Sequence, residues 1–215
     1  MCRALLFDLD GTISETDSIH HPSWAEMLAP RGYDVDWPFY EENISGRLNP
    51  EIVSEFMPDV SEEEGRRLIE EKEVDFRSRV HTLTATPGLR ELIGRGRNAA
   101  MCIALVTNAP KLNALAVINA LGLEGDFDPI TLAEDAGAGK PDPAPYLMAL
   151  EYLDIPPTDA VAFEDSTSGI KSATSAGIPT VGVASTHDPE TLSEAGAFAV
   201  FRDFTDPGLA SMLFG

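Results

Sequence analysis

The chain has 215 residues, of which 43% are hydrophobic and 24% charged, enough length and apolar content to bury a core in one or two domains. Its 15 Lys and Arg stand against 36 Asp and Glu, a formal net charge of -21. A surface of that sign excludes nucleic acid and anionic membrane as partners, because both are held mainly by basic side chains on phosphate. No apolar window approaches the ~20 residues of a membrane-spanning helix, and the N-terminal apolar run stops at Asp8, too short for a secretory leader, so a cytoplasmic protein is expected. Cys2 and Cys102 give no disulfide framework; both lie in apolar stretches and read as buried free thiols.

In chain order, residues 3–9 form a nearly continuous apolar run that stops at the turn Asp10-Gly11-Thr12, the pattern of a buried parallel strand. Residues 15–82 contain no such run and instead carry helical patterns at Ile19–Leu28, Glu51–Phe56 and Glu62–Val80, the last rich in Glu-Arg and Glu-Lys spacings. After the turn Thr86-Pro87-Gly88 and a helix from Leu89, apolar runs return at 101–106, 160–163 and 178–184. Helical patterns alternate with them: Leu115, Ile118 and Leu121 mark one stripe, Leu147, Leu150 and Leu153 a second, and Ser166–Ala176, ended by Gly177, a third. Strands alternating with helices of this length predict a doubly wound parallel α/β sheet, interrupted after its first strand by an all-helical insert.

In such sheets ligands sit at the carboxyl ends of the strands. The residues found there are Asp8 and Asp10, Thr107 and Asn108, and Glu164 and Asp165, with Lys140-Pro141 opening a later helix. Carboxylates gathered at one edge repel one another unless a cation is present, and a hard, oxygen-liganded Mg²⁺ meets that need. A metal, a lysine, a hydroxyl and turn amides in one pocket suit a phosphoryl group. Two aspartates two residues apart then divide the work, Asp8 as nucleophile on phosphorus and Asp10 as the acid and base.

Asp8-Leu9-Asp10-Gly11-Thr12, Thr107-Asn108, Lys140-Pro141 and Glu164-Asp165-Ser166 resemble, in order, the four motifs of the haloacid dehalogenase-like hydrolase superfamily. The helical insert resembles the cap of its β-phosphoglucomutase and phosphoglycolate phosphatase branch. The resemblance implies a Rossmann-like core of residues 1–14 and 83–215 and a cap of residues 15–82. It implies an aspartyl-phosphate formed on Asp8, with Thr107 and Lys140 holding phosphoryl oxygens and Gly11, Thr12 and Asn108 lining the substrate. Mg²⁺ would be bound by Asp8, the backbone carbonyl of Asp10, and Asp165, with Glu164 assisting. In the insert, Thr16, His20, Trp24 and Lys72 through Phe76 match the hinge and cap pattern, and His20, Lys72 and Arg47 are the candidate substrate contacts there. Cap closure would shut water out.

Two departures bear on activity. The mutases place an Arg three residues after a cap Gly, whereas here Arg47 directly follows Gly46, and they carry Ser-x-Ser-Lys where this chain has Thr107-Asn108-Ala109-Pro110. Both favour a phosphatase for a small phosphorylated metabolite, a sugar phosphate by resemblance, acting as a monomer or weak homodimer. The alternatives are a phosphohexomutase and a non-catalytic phosphate-binding module. His21 and Lys111 read as surface residues, Glu62–Glu64 as a solvated face, and Thr107 and one of Glu164, Asp165 and Ser166 also as helix caps.

Overall fold

A computed structural model describes residues 3–215 of the chain; Cys2 lies outside the described residues. Two units divide them, one comprising residues up to Glu15 with Thr84–Gly215, the other Thr16–Leu83.

The first unit is a doubly wound α/β fold. Its six strands are β1 (Ala4–Phe7), β2 (Cys102–Thr107), β3 (Ile130–Leu132), β4 (Ala160–Glu164), β5 (Thr180–Val183) and β6 (Ala199–Phe201). They pair in the order β3-β2-β1-β4-β5-β6, all parallel. The chain order reverses beside β1, which pairs with both β2 and β4, so the ends of these three strands form the crevice where such sheets bind ligands. Seven helices belong to this unit: α5 (Leu89–Asn98), α6 (Lys111–Ala120), α7 (Ala133–Ala136), α8 (Ala144–Leu153), α9 (Thr167–Ser175), α10 (Pro189–Glu194) and α11 (Pro207–Phe214).

β1 is buried at every position, as a central parallel strand covered on both faces must be. Ala4 and Leu6 pack with Ala104, Val106 and Ala162 against Tyr146, Ala149 and Leu150 of α8 and Ala173 of α9. On the opposite side, Phe7 stacks on Phe163 at 4.7 Å, and Phe204 meets both edge-on.

The second unit is built from α1 (Asp17–Leu28), α2 (Trp37–Asn43), α3 (Asn49–Phe56) and α4 (Glu62–Arg79). Trp24, Leu28, Val35, Tyr40, Ile44, Ile52, Val53, Phe56 and Met57 form its own apolar core. The Ser61 hydroxyl caps α4 by accepting from the Glu64 amide at 3.2 Å. The Glu-Arg pairs of α4 lie in solvent, as the charge pattern implies; Arg67 meets Glu64 at 2.6 Å and Arg66 meets Glu62 at 3.7 Å.

Several expectations need correction. Leu115 and Leu147 are exposed rather than part of a buried stripe. A step of three residues turns a helix through about 300°, so positions spaced 3 and 3 drift off the face. The buried faces instead follow mixed steps of 3 and 4, at Ala114, Val117, Ile118 and Leu121, and at Tyr146, Ala149 and Leu150. Cys102 is an exposed thiol because it opens β2, whose burial begins only at Ile103. His21 is half-buried, hydrogen-bonded through Nε2 to the Val35 carbonyl at 2.7 Å and packed edge-on against Trp37 and Tyr40. Thr107 does not cap α6; its hydroxyl accepts from the Ala109 amide at 2.9 Å within the preceding loop.

Candidate active site

The end of β1 turns sharply. The Gly11 amide bonds the Ser14 carbonyl at 2.8 Å and the Ile13 amide the Leu9 carbonyl at 3.0 Å. Gly11 has φ +77°, and a Cβ there would run into the Asp165 carboxylate, so only glycine lets this turn lie against the end of β4. Asp8, immediately after β1, is buried at 7% exposure, while Asp10 is half-buried.

Lys140 reaches this point from the loop before α8. Its ammonium donates to Asp8 Oδ1, to the Val106 carbonyl at 2.7 Å, and to Glu164 Oε1 at 2.6 Å. Asn108, at the end of β2, holds the backbone of Lys140 by both ends of its carboxamide: Oδ1 accepts from the Lys140 amide at 2.9 Å, and Nδ2 donates to the Lys140 carbonyl at 3.3 Å. A side chain used in this way acts on the site through Lys140. Thr107, the last residue of β2, is fully buried.

From β4 come Glu164 and Asp165, buried at 0% and 5% exposure. Glu164 Oε1 also accepts from the Tyr146 hydroxyl at 2.7 Å, and Gly169 lies so close that a Cβ there would overlap the Glu164 carboxylate. Ser166 caps α9, its hydroxyl accepting from the Gly169 amide at 3.1 Å. Thr12 Oγ1 donates to Asp165 Oδ1 at 3.3 Å.

Burial drives the Asp8 carboxyl well above its usual range; Lys140 pulls it back, while Glu164, Asp165 and Asp10 push it further up. Burial alone would weaken the Lys140 ammonium, but Asp8 and Glu164 outweigh it, so the net shift is upward and Lys140 is a permanent cation. The Tyr146 hydroxyl is likewise raised by burial and then by Glu164, which keeps it a proton donor.

One lysine does not balance this many acids. Asp8, Glu164 and Asp165 can each offer a carboxylate oxygen with all three atoms within 4.8 Å of one another. Glu164 Oε2 is buried without a hydrogen-bond partner. Buried anionic oxygens left in that state call for a cation, and an all-oxygen donor set fits a hard metal ion. The carboxylate group of Asp10 is not part of this trio.

In the helical unit, Lys72 and Glu73 are buried, their side chains 1% and 3% exposed. Lys72 donates to His20 Nδ1 at 2.9 Å and to Glu73 Oε1 at 3.0 Å, and Asn49 Nδ2 donates to the same Glu73 oxygen at 2.5 Å. His20 stacks on Phe76 at 4.1 Å, and Trp24 is buried in the unit's core. Arg47 is held within the unit, donating to Glu55 at 2.7 Å and to the Asn43 carbonyl at 2.9 Å. Glu73 entered the sequence candidates only as part of the Lys72–Phe76 match, and Tyr146 and Asn49 were not among them. Nor were Ser185, Thr186 and His187, although these three follow the apolar run that became β5 and could have been found by listing that strand end with the others.

Fold and site together gather buried carboxylates and a lysine beside the strand ends of a doubly wound sheet. The family model for haloacid dehalogenase-like hydrolases matches residues 5–183, and the chain belongs to that family. It is a hydrolase of phosphoric monoesters. The chain is 32% identical to a phosphorylated carbohydrates phosphatase of Thermotoga maritima over 211 residues, covering 93% of this chain and 94% of that protein. It is also 32% identical to the beta-phosphoglucomutase of Bacillus subtilis over 197 residues, covering 84% and 83%. Among solved structures, CbbY from Rhodobacter sphaeroides in complex with phosphate aligns with a TM-score of 0.86 at 28% identity, covering 97% of each chain.

Proposed function

We propose that the chain is a Mg²⁺-dependent phosphatase for a small phosphorylated carbohydrate, working through a phosphorylated Asp8. The observation that carries the reading is the buried group of Asp8, Lys140, Glu164 and Asp165 at the ends of β1 and β4. Asp8 Oδ attacks phosphorus and the bond to the leaving oxygen breaks, with Asp10 giving that oxygen its proton. Asp10 then takes a proton from a water that attacks the phosphorus, the bond to Asp8 breaks, and inorganic phosphate leaves. Lys140 holds its charge through both steps and, with the Thr107 hydroxyl, steadies the phosphoryl oxygens. Asp8, the Asp10 carbonyl and Asp165, assisted by Glu164, would hold Mg²⁺. When bound, the ion supplies charge neutralisation for nucleophile and phosphoryl group.

Similarity to named phosphatases and to a mutase leaves the acceptor of the phosphoryl group as the point to argue. Asn108 is committed to the Lys140 backbone and Arg47 to Glu55 and Asn43. A mutase must also grip a second, distal phosphate, and this commitment of Arg47 favours water as acceptor. In the helical unit, His20 and Lys72, which bond each other at 2.9 Å, are the proposed contributors to substrate choice. A panel of sugar phosphates and phosphoglycolate, assayed with Mg²⁺ for phosphate release, tests the proposal. Release of phosphate from one or more of them is expected. Conversion of β-glucose 1-phosphate to glucose 6-phosphate in the presence of a bisphosphate activator would replace it with the mutase reading.

A further inference from the structure

The loop after β5 brings three polar side chains onto the carboxylate site from a side that none of the four motifs supplies. Thr186 Oγ1 lies 2.5 Å from Asp165 Oδ2 and 3.2 Å from the Asp165 carbonyl. A hydroxyl has one proton, and the short contact to the charged oxygen takes it. His187 Nδ1 lies 3.0 Å from the same hydroxyl and 3.1 Å from the Asp165 carbonyl. Two acceptors facing one ring nitrogen assign the His187 proton to Nδ1. The Ser185 hydroxyl donates to the Gly11 carbonyl at 2.5 Å and ties the loop to the β1 turn.

From this geometry we infer that Thr186 is a positioning residue for the cation site, fixing the Asp165 carboxylate in the orientation that binds metal. The inference rests on the Mg²⁺ reading above. Asp165 Oδ1 has a longer, weaker bond from Thr12, at 3.3 Å. The Gly11 turn leaves no space for a Cβ beside the carboxylate, and the short Thr186 bond restrains its rotation. A carboxylate oxygen can accept from more than one partner, so a hydroxyl bond does not by itself exclude a cation. Mg²⁺ demands near-ideal octahedral geometry, so a free-turning ligand weakens it. Donors behind a metal-ligating group are worth roughly 10- to 100-fold in metal affinity.

Calorimetric titration of the metal-free protein with Mg²⁺, without substrate, tests this directly. Thr186→Val is expected to raise the Mg²⁺ dissociation constant by about tenfold or more, and Thr186→Ser to keep it within about twofold of wild type. Thr186→Ala removes the hydroxyl without adding a branched side chain, gives the same loss, and covers the case in which valine disturbs the loop. Saturating Mg²⁺ restores kcat in the hydroxyl-less variants while their apparent Mg²⁺ activation constant stays raised, a split that general loss of folding does not produce. Wild-type Mg²⁺ affinity in folded Thr186→Ala overturns the role of Thr186 alone. A wild-type protein that hydrolyses phosphate esters yet binds no Mg²⁺ overturns the cation reading and this inference with it.

Discussion

Asp8 is in its folded surroundings a reluctant carboxylate, because burial and three neighbouring acids oppose its charge more than Lys140 supports it. A carboxyl whose folded pKa lies above its unfolded value of 3.8 adds stability below that value and loses it as pH rises through the elevated one. In EDTA, Asp8→Asn should therefore melt above wild type at pH 7, with the gap closing towards pH 4. A difference of ~1 kcal/mol would appear as about 2–4 °C in a chain of this size. The same variant should release no phosphate; a lower melting point, or retained turnover, would contradict the account. Gly11→Ala is expected to combine a left-handed backbone cost of roughly 1–2 kcal/mol with displacement of Asp165. Mg²⁺ titration should show a weakened site even where the protein still folds. Asp8, Glu164 and Asp165 were legible in the sequence because acids close the apolar runs of β1 and β4, and Lys140 because it stands between Gly139 and Pro141 ahead of a helix. Tyr146 was hidden, and Glu73 had no role of its own, because each looks locally like its neighbours, one an aromatic in an apolar helix, the other a glutamate in an acidic one. What distinguishes them is a partner far away in the chain.

At the level of elements, the apolar runs of β1, β2, β4 and β5 announced themselves because central parallel strands are buried on both faces. β3 and β6 did not, since each is three residues long and β6 is only half-buried. Helix existence was plain from the apolar pattern, but one position of each stripe, Leu115 on α6 and Leu147 on α8, falls off the buried face. A pair of substitutions tests the corrected face on α6. Leu115→Ala should stay within about 0.5 kcal/mol of wild type, as exposed positions do, whereas Ile118→Ala, three residues on, should cost about 2–5 kcal/mol. Urea denaturation of the two variants measures the contrast. Equal losses would mean that α6 packs by a different face.

Over the whole molecule, a formal charge of -21 confronts a substrate that is itself an anion. The favourable charges near the site, Lys140 and the proposed cation, act over a short range, while the surface acids repel at longer range. Added salt screens the longer-range part first, with a Debye length of about 30 Å at 0.01 M and 8 Å at 0.15 M. At saturating Mg²⁺, KM for a sugar phosphate is expected to fall as inert salt rises across that interval, and a rising KM would show that attraction dominates approach. The sheet order carries a further consequence for the making of the protein. β1, the middle strand, precedes all others in the chain, and its partners begin only at Cys102 and Ala160. A ribosome adding about 5–20 residues per second therefore leaves Ala4–Phe7 without a neighbour for on the order of 5–20 s, while Thr16–Leu83, with an apolar core of its own, is already emerging. Lys140 then leaves the tunnel before Glu164 and Asp165, so the countercharge for Asp8 arrives ahead of these two acids.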